Sequence, residues 1–156
     1  MSFEQDLIRG KKAERSALKY IKRKYTDAYI INGYCKEWDI YIPSIGQGIE
    51  VKYDPMSKET GNIVIEVTFY NKPSALSTTK AYRWVFYTKE EMIITTPKRI
   101  KQLINKYNLS TVEFTGKGDS RSKKAYLMKL DILKTNVILV SDHIFNEWQK
   151  KGAVQG

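Results

Sequence analysis

Histidine and cysteine are nearly missing from this chain, which holds one of each, His143 and Cys35. A lone cysteine excludes an intrachain disulfide, and the pair is too few to ligate a structural zinc. A single histidine makes Ser-His-Asp hydrolysis a poor reading. Cys35 reads as a packed spacer and His143 as a helix-surface or capping residue, neither with chemistry. Long apolar runs are missing as well, since nothing approaches the roughly 20 residues of a membrane span. The first ten residues carry Glu4 and Asp6 where a secretory signal has its apolar core, so the expectation is a cytoplasmic protein without membrane contact. Four prolines and nine glycines are too few for a Pro-rich linker or low-complexity tract, and no internal repeat is present. Negative charge is the scarcer sign, with 17 Asp and Glu against 27 Lys and Arg. The chemistry must therefore come from carboxylates, lysines and hydroxyls.

What is there is a basic chain able to fold. Its 156 residues, 42% of them hydrophobic, suffice for a buried core and fit one domain spanning 1–156. A net charge of +10 on a small domain attracts polyanions, nucleic acid foremost. The cations cluster: Lys11, Lys12, Arg15, Lys19, Lys22, Arg23 and Lys24 near the start, Lys98, Arg99 and Lys101 later. A third group, Lys117, Arg121, Lys123 and Lys124, lies in a Gly/Ser-rich stretch that reads as a loop able to follow a phosphate backbone. The eleven tyrosines are scattered through strand-like segments and read as core and boundary residues rather than a stacking platform.

Periodicity gives the elements. Phe3 to Tyr25 repeats apolar residues at helical spacing. Strand-like runs follow at Ala28–Tyr34, Glu37–Ile42, Gly48–Tyr53 and Ile63–Tyr70, separated by turn residues such as Asn32-Gly33 and Pro43-Ser44. Pro73 to Ala81 reads as a loop entering a short helix, with Ser77 or Thr78 as its N-cap. Strands are expected at Tyr82–Tyr87, Met92–Thr95 and Ala125–Leu130, a helix opening at Pro97, and a closing helix over Ser141–Lys150. The order implies an α/β fold with a mixed sheet.

Several acids sit where a basic protein does not need them. Alternation along Glu37–Ile42 puts Trp38, Ile40 and Ile42 on one face, with Glu37, Asp39 and Tyr41 on the other. In the next strand Glu50 and Lys52 share a face opposite Ile49, Val51 and Tyr53. A five-residue turn joins the two strands, so an antiparallel hairpin brings Asp39 close to Glu50. Converging carboxylates repel, and a hard cation such as Mg²⁺ relieves that. Lys52 beside them can stabilise charge on a phosphate or handle the proton of an attacking water. Two carboxylates, one metal and one lysine suffice for phosphodiester hydrolysis, while a plain Glu50–Lys52 surface ion pair is the competing explanation. Glu14 falls on the apolar stripe of the first helix, so it either reaches water at the stripe's edge or joins the carboxylate cluster. Glu66 interrupts Ile63–Phe69 and borders the same site if its strand pairs with that of Glu50; a rim ion pair is its other role. Ser77, Thr78, Thr79 and Lys80 at a helix start could hold a phosphate, or one hydroxyl could simply cap the helix.

The ordered set of a helix Glu14, then Trp38-Asp39-Ile40, then Ile49-Glu50-Val51-Lys52 resembles the PD-(D/E)XK nuclease superfamily over about Glu4 to Tyr87. Lys72-Pro73-Ser74-Ala75-Leu76-Ser77-Thr78-Thr79-Lys80-Ala81 followed by Tyr82-Arg83-Trp84-Val85 resembles the loop and helix after the catalytic hairpin in phage-type members. Gly116-Lys117-Gly118-Asp119 leading to Ala125-Tyr126-Leu127 is similar to their distal loop and strand. Two departures stand out: Trp38 where the motif has proline, and Tyr82 where phage-type members often carry an acid.

The resemblance implies a restriction-endonuclease-like core, a mixed β-sheet flanked by helices in the order αβββαβ. It makes Asp39, Glu50 and the Val51 carbonyl ligands of Mg²⁺, with Mn²⁺ as a substitute, and Lys52 the catalytic lysine. Glu14 becomes a ligand or water-orienting acid. Small members that combine these residues include Holliday-junction resolvases of phage and archaeal type, which act as homodimers. The implied activity is DNA endonuclease cleavage to 5′-phosphate and 3′-hydroxyl ends, selective for branched DNA, without a small-molecule cofactor, and with a lean towards phage or mobile-element origin. Lys11, Lys12, Arg15, Ser77–Lys80, Lys117, Arg121 and Lys123 are the expected DNA contacts. The rival readings are a restriction-type or nicking endonuclease, a non-catalytic basic nucleic-acid-binding protein, and, on charge alone, an RNA-binding accessory protein.

Overall fold

The computed structural model describes residues 3–33, 37–88, 91–115, 122–135 and 138–141. Cys35, Lys117, Arg121, the Gly116–Asp119 loop and His143 lie outside the described residues, as does all of the expected closing helix except Ser141. Ser141 itself ends a strand.

Helix α1 (Phe3–Ile21) is followed by β1 (Tyr29–Ile30), β2 (Ile40–Ile42) and β3 (Gln47–Tyr53). A single turn, α2 (Ser57–Thr60), leads to β4 (Asn62–Phe69) and β5 (Lys72–Pro73), then a 3-10 turn at Ala75–Ser77. Next come β6 (Arg83–Tyr87), β7 (Glu91–Thr95) and α3 (Pro97–Lys106). The order closes with β8 (Thr111–Thr115), β9 (Ser122–Lys129), the turn α4 (Leu130–Leu133) and β10 (Ile138–Ser141). Two sheets result, one of order β1-β2-β3-β6-β7-β10 and one of order β5-β4-β9-β8. In the first sheet β3 and β6 run parallel, and the other pairs among the described residues are antiparallel. The fold is α/β with a mixed sheet flanked by helices. Among the described residues no helix is long and apolar enough to cross a membrane.

The two faces of the first sheet build two cores. Ile40, Ile42, Ile49, Val85, Met92 and Ile94 pack with Ala17 of α1. Ala13 and Ala17 are both 1% exposed, and their small side chains let the helix lie close to the sheet. Further back along α1 the expected stripe leaves the protein: Leu7, which the helical spacing places on it, is exposed, as is the neighbouring Ile8. On the opposite face Trp84, Phe86 and Ile93 meet Ile63, Ile65 and Met128 of the second sheet and Ile100, Leu103 and Ile104 of α3. Helix α3 begins as its sequence prescribes, with Pro97 in the first turn and the Thr96 hydroxyl accepting the Arg99 N–H at 3.0 Å.

One open condition is decided against, and two local expectations fail, each for an identifiable reason. The strand at Asn62–Phe69 does not pair with β3, because the free edge of β3 is taken by β6 and the chain turns away first. That turn is held by Asp54, whose carboxylate accepts the N–H groups of Ser57 and Val64, and by Gly61 at φ +77°. Trp38 does not share a face with Ile40 and Ile42. It precedes the regular strand, stacks on Tyr41 with ring centroids 5.5 Å apart, and covers the space left by Gly48. Neither Ser77 nor Thr78 is an N-cap: the helix is only the three-residue 3-10 turn, and Ser74 occupies the cap position without a capping bond from its side chain.

Candidate metal and nucleic-acid site

The site grows from one strand edge. In β3, residues with odd numbers direct Ile49 and Val51 into the core beneath α1, so Glu50 and Lys52 project from the other face. Opposite Glu50 in the parallel register stands Trp84 of β6, and opposite Lys52 stands Phe86. Asp39 lies one residue beyond the Ile40–Ile49 pair, where β2 stops following β3. The Val51 N–H, left without a β2 partner, donates to Asp39 Oδ2 at 2.8 Å. Within a strand the N–H and C=O of one residue face the same edge, so the Val51 carbonyl is on the side of Asp39 too.

Asp39 is 6% exposed, and Glu50 hydrogen-bonds to it. Lys52 Nζ sits 3.5 Å from Glu50 Oε1. Burial pushes the Glu50 carboxyl up from 4.5 to about 7. The Lys52 ammonium opposes that rise, while the Asp39 charge and hydrogen bond add to it. Lys52 is also held over the indole of Trp84, 5.5 Å from the ring centroid, and the Trp84 Nε1–H donates to Thr79 Oγ1 at 3.1 Å.

Glu50, Lys52, Thr79 and Trp84 open onto a cavity of about 430 Å³. Glu50, Lys52 and Trp84 form its floor, and Glu37, Glu66, Thr78 and Lys80 stand around it. Glu66 arrives from the second sheet rather than from a strand beside β3. The β4 register against β9 shifts between Glu66 and Thr68, and on its other edge the Val67 carbonyl continues the pairing of β4 with β5. That carbonyl accepts the Ser74 N–H at 2.9 Å and the Ser77 hydroxyl at 2.7 Å, while the Ser74 hydroxyl donates to Glu66 Oε2 at 2.7 Å. The 3-10 turn is thereby pinned against β4 as a wall, with Ala75 at φ +43°.

The structure thus brings together Asp39, Glu50, Lys52, Glu66, Thr78, Thr79 and Lys80. It separates others from them. Ser77 lines a different depression beside Lys101 and Ile104. Glu14 is half-buried on α1 and does not line the cavity. Among the described residues no three His, Cys, Asp or Glu side chains converge as a metal-binding group. Lys11, Lys12 and Arg15 are exposed on α1, and Lys123 lies over the Phe69 ring at 5.4 Å. The expected helix start for phosphate has no helix behind it, so Thr78 and Lys80 face the cavity from a turn. Glu37 and Trp84 escaped the sequence reading as site residues. Alternation with Asp39 was the available signal for Glu37, whereas Trp84 is placed by a parallel register that sequence does not display.

The donor set fits a hard divalent cation. Two carboxylates and the Val51 carbonyl offer oxygen alone, and a 430 Å³ space leaves room for the waters Mg²⁺ retains and for a phosphate. No family model, curated protein or solved structure matches this chain.

Proposed function

We propose that this chain is a Mg²⁺-dependent DNA endonuclease with a restriction-endonuclease-like core, cutting branched DNA as a homodimer. The observation that carries the reading is the convergence of Asp39, Glu50 and Lys52, with Asp39 tied to the Val51 main chain. The order of α1, the antiparallel run β1-β2-β3 and a parallel β6 beside β3 supports the fold assignment. The net charge of +10 and Lys80 at the cavity mouth support a polyanionic substrate.

Asp39, Glu50 and the Val51 carbonyl would hold the cation, which supplies Lewis-acid stabilisation of the scissile phosphate and acidifies a water. Lys52 places its ammonium where charge develops on the phosphate, and its contacts to Glu50 and the Trp84 ring fix its direction. Thr78 and Lys80 hold the adjoining phosphate from the opposite wall. A 5′-phosphate and a 3′-hydroxyl are the products of this reading.

The test is cleavage of a labelled four-way junction beside duplex and single-stranded DNA, in Mg²⁺ or EDTA, by the wild type and Asp39→Asn. Paired symmetric nicks on the junction alone, lost in EDTA and in the variant, support the full reading. Equal cutting of all substrates removes the junction selectivity. Binding without metal-dependent cutting refutes the enzyme and leaves a basic binding protein.

A further inference from the structure

On the other face of the first sheet, at the C-terminal end of α1, lies a second cleft of about 280 Å³. Its floor is aliphatic, made by Ile21 of α1 with Ile42, Ile49, Val85 and Ile94 of the sheet. Its rim is cationic and aromatic. The Arg83 guanidinium lies 5.0 Å from the centroid of the Tyr82 ring and donates to its hydroxyl at 3.4 Å, and Lys24 lies 5.4 Å from the centroid of Tyr25, with Arg23 completing the rim. An apolar floor under three cations selects an amphipathic anion with a flat or aliphatic body. The volume lies just below the range of ligand pockets, roughly 300–1,000 Å³, which leaves room for no more than one nucleotide and excludes a duplex.

The position of the cleft narrows the choice. Trp84 lines the metal-side cavity while Arg83 and Val85 line the cleft, because successive residues of β6 point to opposite faces; in the turn before the strand, Thr78, Thr79 and Lys80 lie on the metal side and Tyr82 on the cleft. One run of chain therefore separates the two spaces, anchored to β3 by the Tyr82 N–H on the Gly48 carbonyl at 2.7 Å. We propose that the cleft is a nucleotide subsite, taking one unpaired nucleotide with its base between the isoleucine floor and the tyrosines and its phosphate on Arg83, Arg23 and Lys24. Tyrosine faces and stacked guanidinium planes are the usual partners of an unstacked base, and they tolerate any base identity. A paired base cannot enter, so the cleft discriminates branched or single-stranded DNA from intact duplex. The inference rests on the nucleic-acid part of the proposed function and not on the metal chemistry.

The experiment is methyl NMR of the full chain with labelled isoleucines, titrated with thymidine 5′-monophosphate, thymidine, a ten-residue oligothymidylate and decanoate. The expected result is saturable shifts of the Ile21, Ile49 and Ile94 methyls with the mononucleotide and oligonucleotide. Thymidine should bind at least fivefold more weakly, and Arg83→Gln should erase that advantage while leaving the methyl spectrum of the free protein in place. Silent isoleucines overturn the proposal, as do equal affinities for thymidine and its monophosphate. Tighter binding of decanoate at the same methyls overturns the nucleotide assignment in favour of a fatty anion. Because the titration needs no cleavage, the two readings fail separately: shifts without Mg²⁺-dependent cutting keep the subsite, and cutting without shifts removes it.

Discussion

The Asp39 carboxylate accepts the main-chain N–H of Val51 at 2.8 Å, so the acid that would hold metal also finishes the hydrogen bonding of the strand carrying Glu50 and Lys52. Charge and architecture at this position can be separated by substitution. Asp39→Asn keeps an oxygen for the Val51 N–H and should fold with near-native stability while losing Mg²⁺-dependent cleavage. Asp39→Ala leaves the N–H without its partner and should cost about 1–3 kcal/mol besides. Urea denaturation of both variants checks this, and equal stabilities would show that the contact does not hold the strand.

The raised Glu50 carboxyl makes the metal-free protein sensitive to pH. Its folded value of about 7 exceeds 4.5, so the folded state binds the proton more tightly. Stability is then fullest below pH 4.5 and falls as pH rises towards 7, by at most about 3 kcal/mol. Glu50→Gln should remove that slope. Denaturation in EDTA at pH 5 and pH 8 measures it, and a slope unchanged in the variant assigns the effect to another group.

Metal binding should follow the same carboxyl. Mg²⁺ must displace the proton, so its affinity should climb between pH 6 and 8, with proton release below pH 7. Calorimetry in two buffers of different ionisation enthalpy reads the release directly. Buffer-independent heats at pH 6 would place the cation away from Glu50.

Gly48 is where Trp38 needs room. A Cβ built there would lie 2.0 Å from Trp38 Cδ2, so Gly48→Ala must displace the indole from Tyr41. The expected cost is about 1–3 kcal/mol. Trp38→Leu in the same chain should recover part of it, and a double variant no more stable than Gly48→Ala would refute the steric account.

Ala75 holds φ +43° in the wall facing Glu50. Ala75→Gly should change stability by less than about 1 kcal/mol, since relief of strain offsets added chain entropy. Ala75→Val puts a branched side chain in the left-handed region and should cost more than the glycine variant gains. Thermal melts compare the two, and a harmless valine would mean the turn relaxes.

How much of this was legible in sequence depended on whether the cause was local. Pro97 marked the start of α3, and the alternation Ile49-Glu50-Val51-Lys52 separated core from site, because helix starts and pleats act within a few residues. The hairpin placing Asp39 near Glu50 followed from one short turn. What escaped was fixed by distant partners. Sequence left open whether Glu66 borders the site through a strand beside β3; it reaches the cavity from a second sheet, a choice made by β6 claiming the edge and by β9 claiming β4. Trp38 followed the vacancy above Gly48 rather than its place in the alternation. Trp84 became the floor of the site through a parallel pairing that leaves no local pattern.

The pairing of β4 with β9 joins the two halves of the chain, and it governs when the site is complete. The β2–β3 hairpin that carries Asp39, Glu50 and Lys52 closes over a short loop, whereas the wall bearing Glu66 needs a strand made much later. Long loop closure is the slow part of such a topology. A ribosome-bound chain would therefore own the acids before it owns the chamber that confines a phosphate between them. Pulse-labelled hydrogen exchange should protect the Val51 amide ahead of those of Ile63 and Ile65, and the reverse order would show that the chamber assembles first.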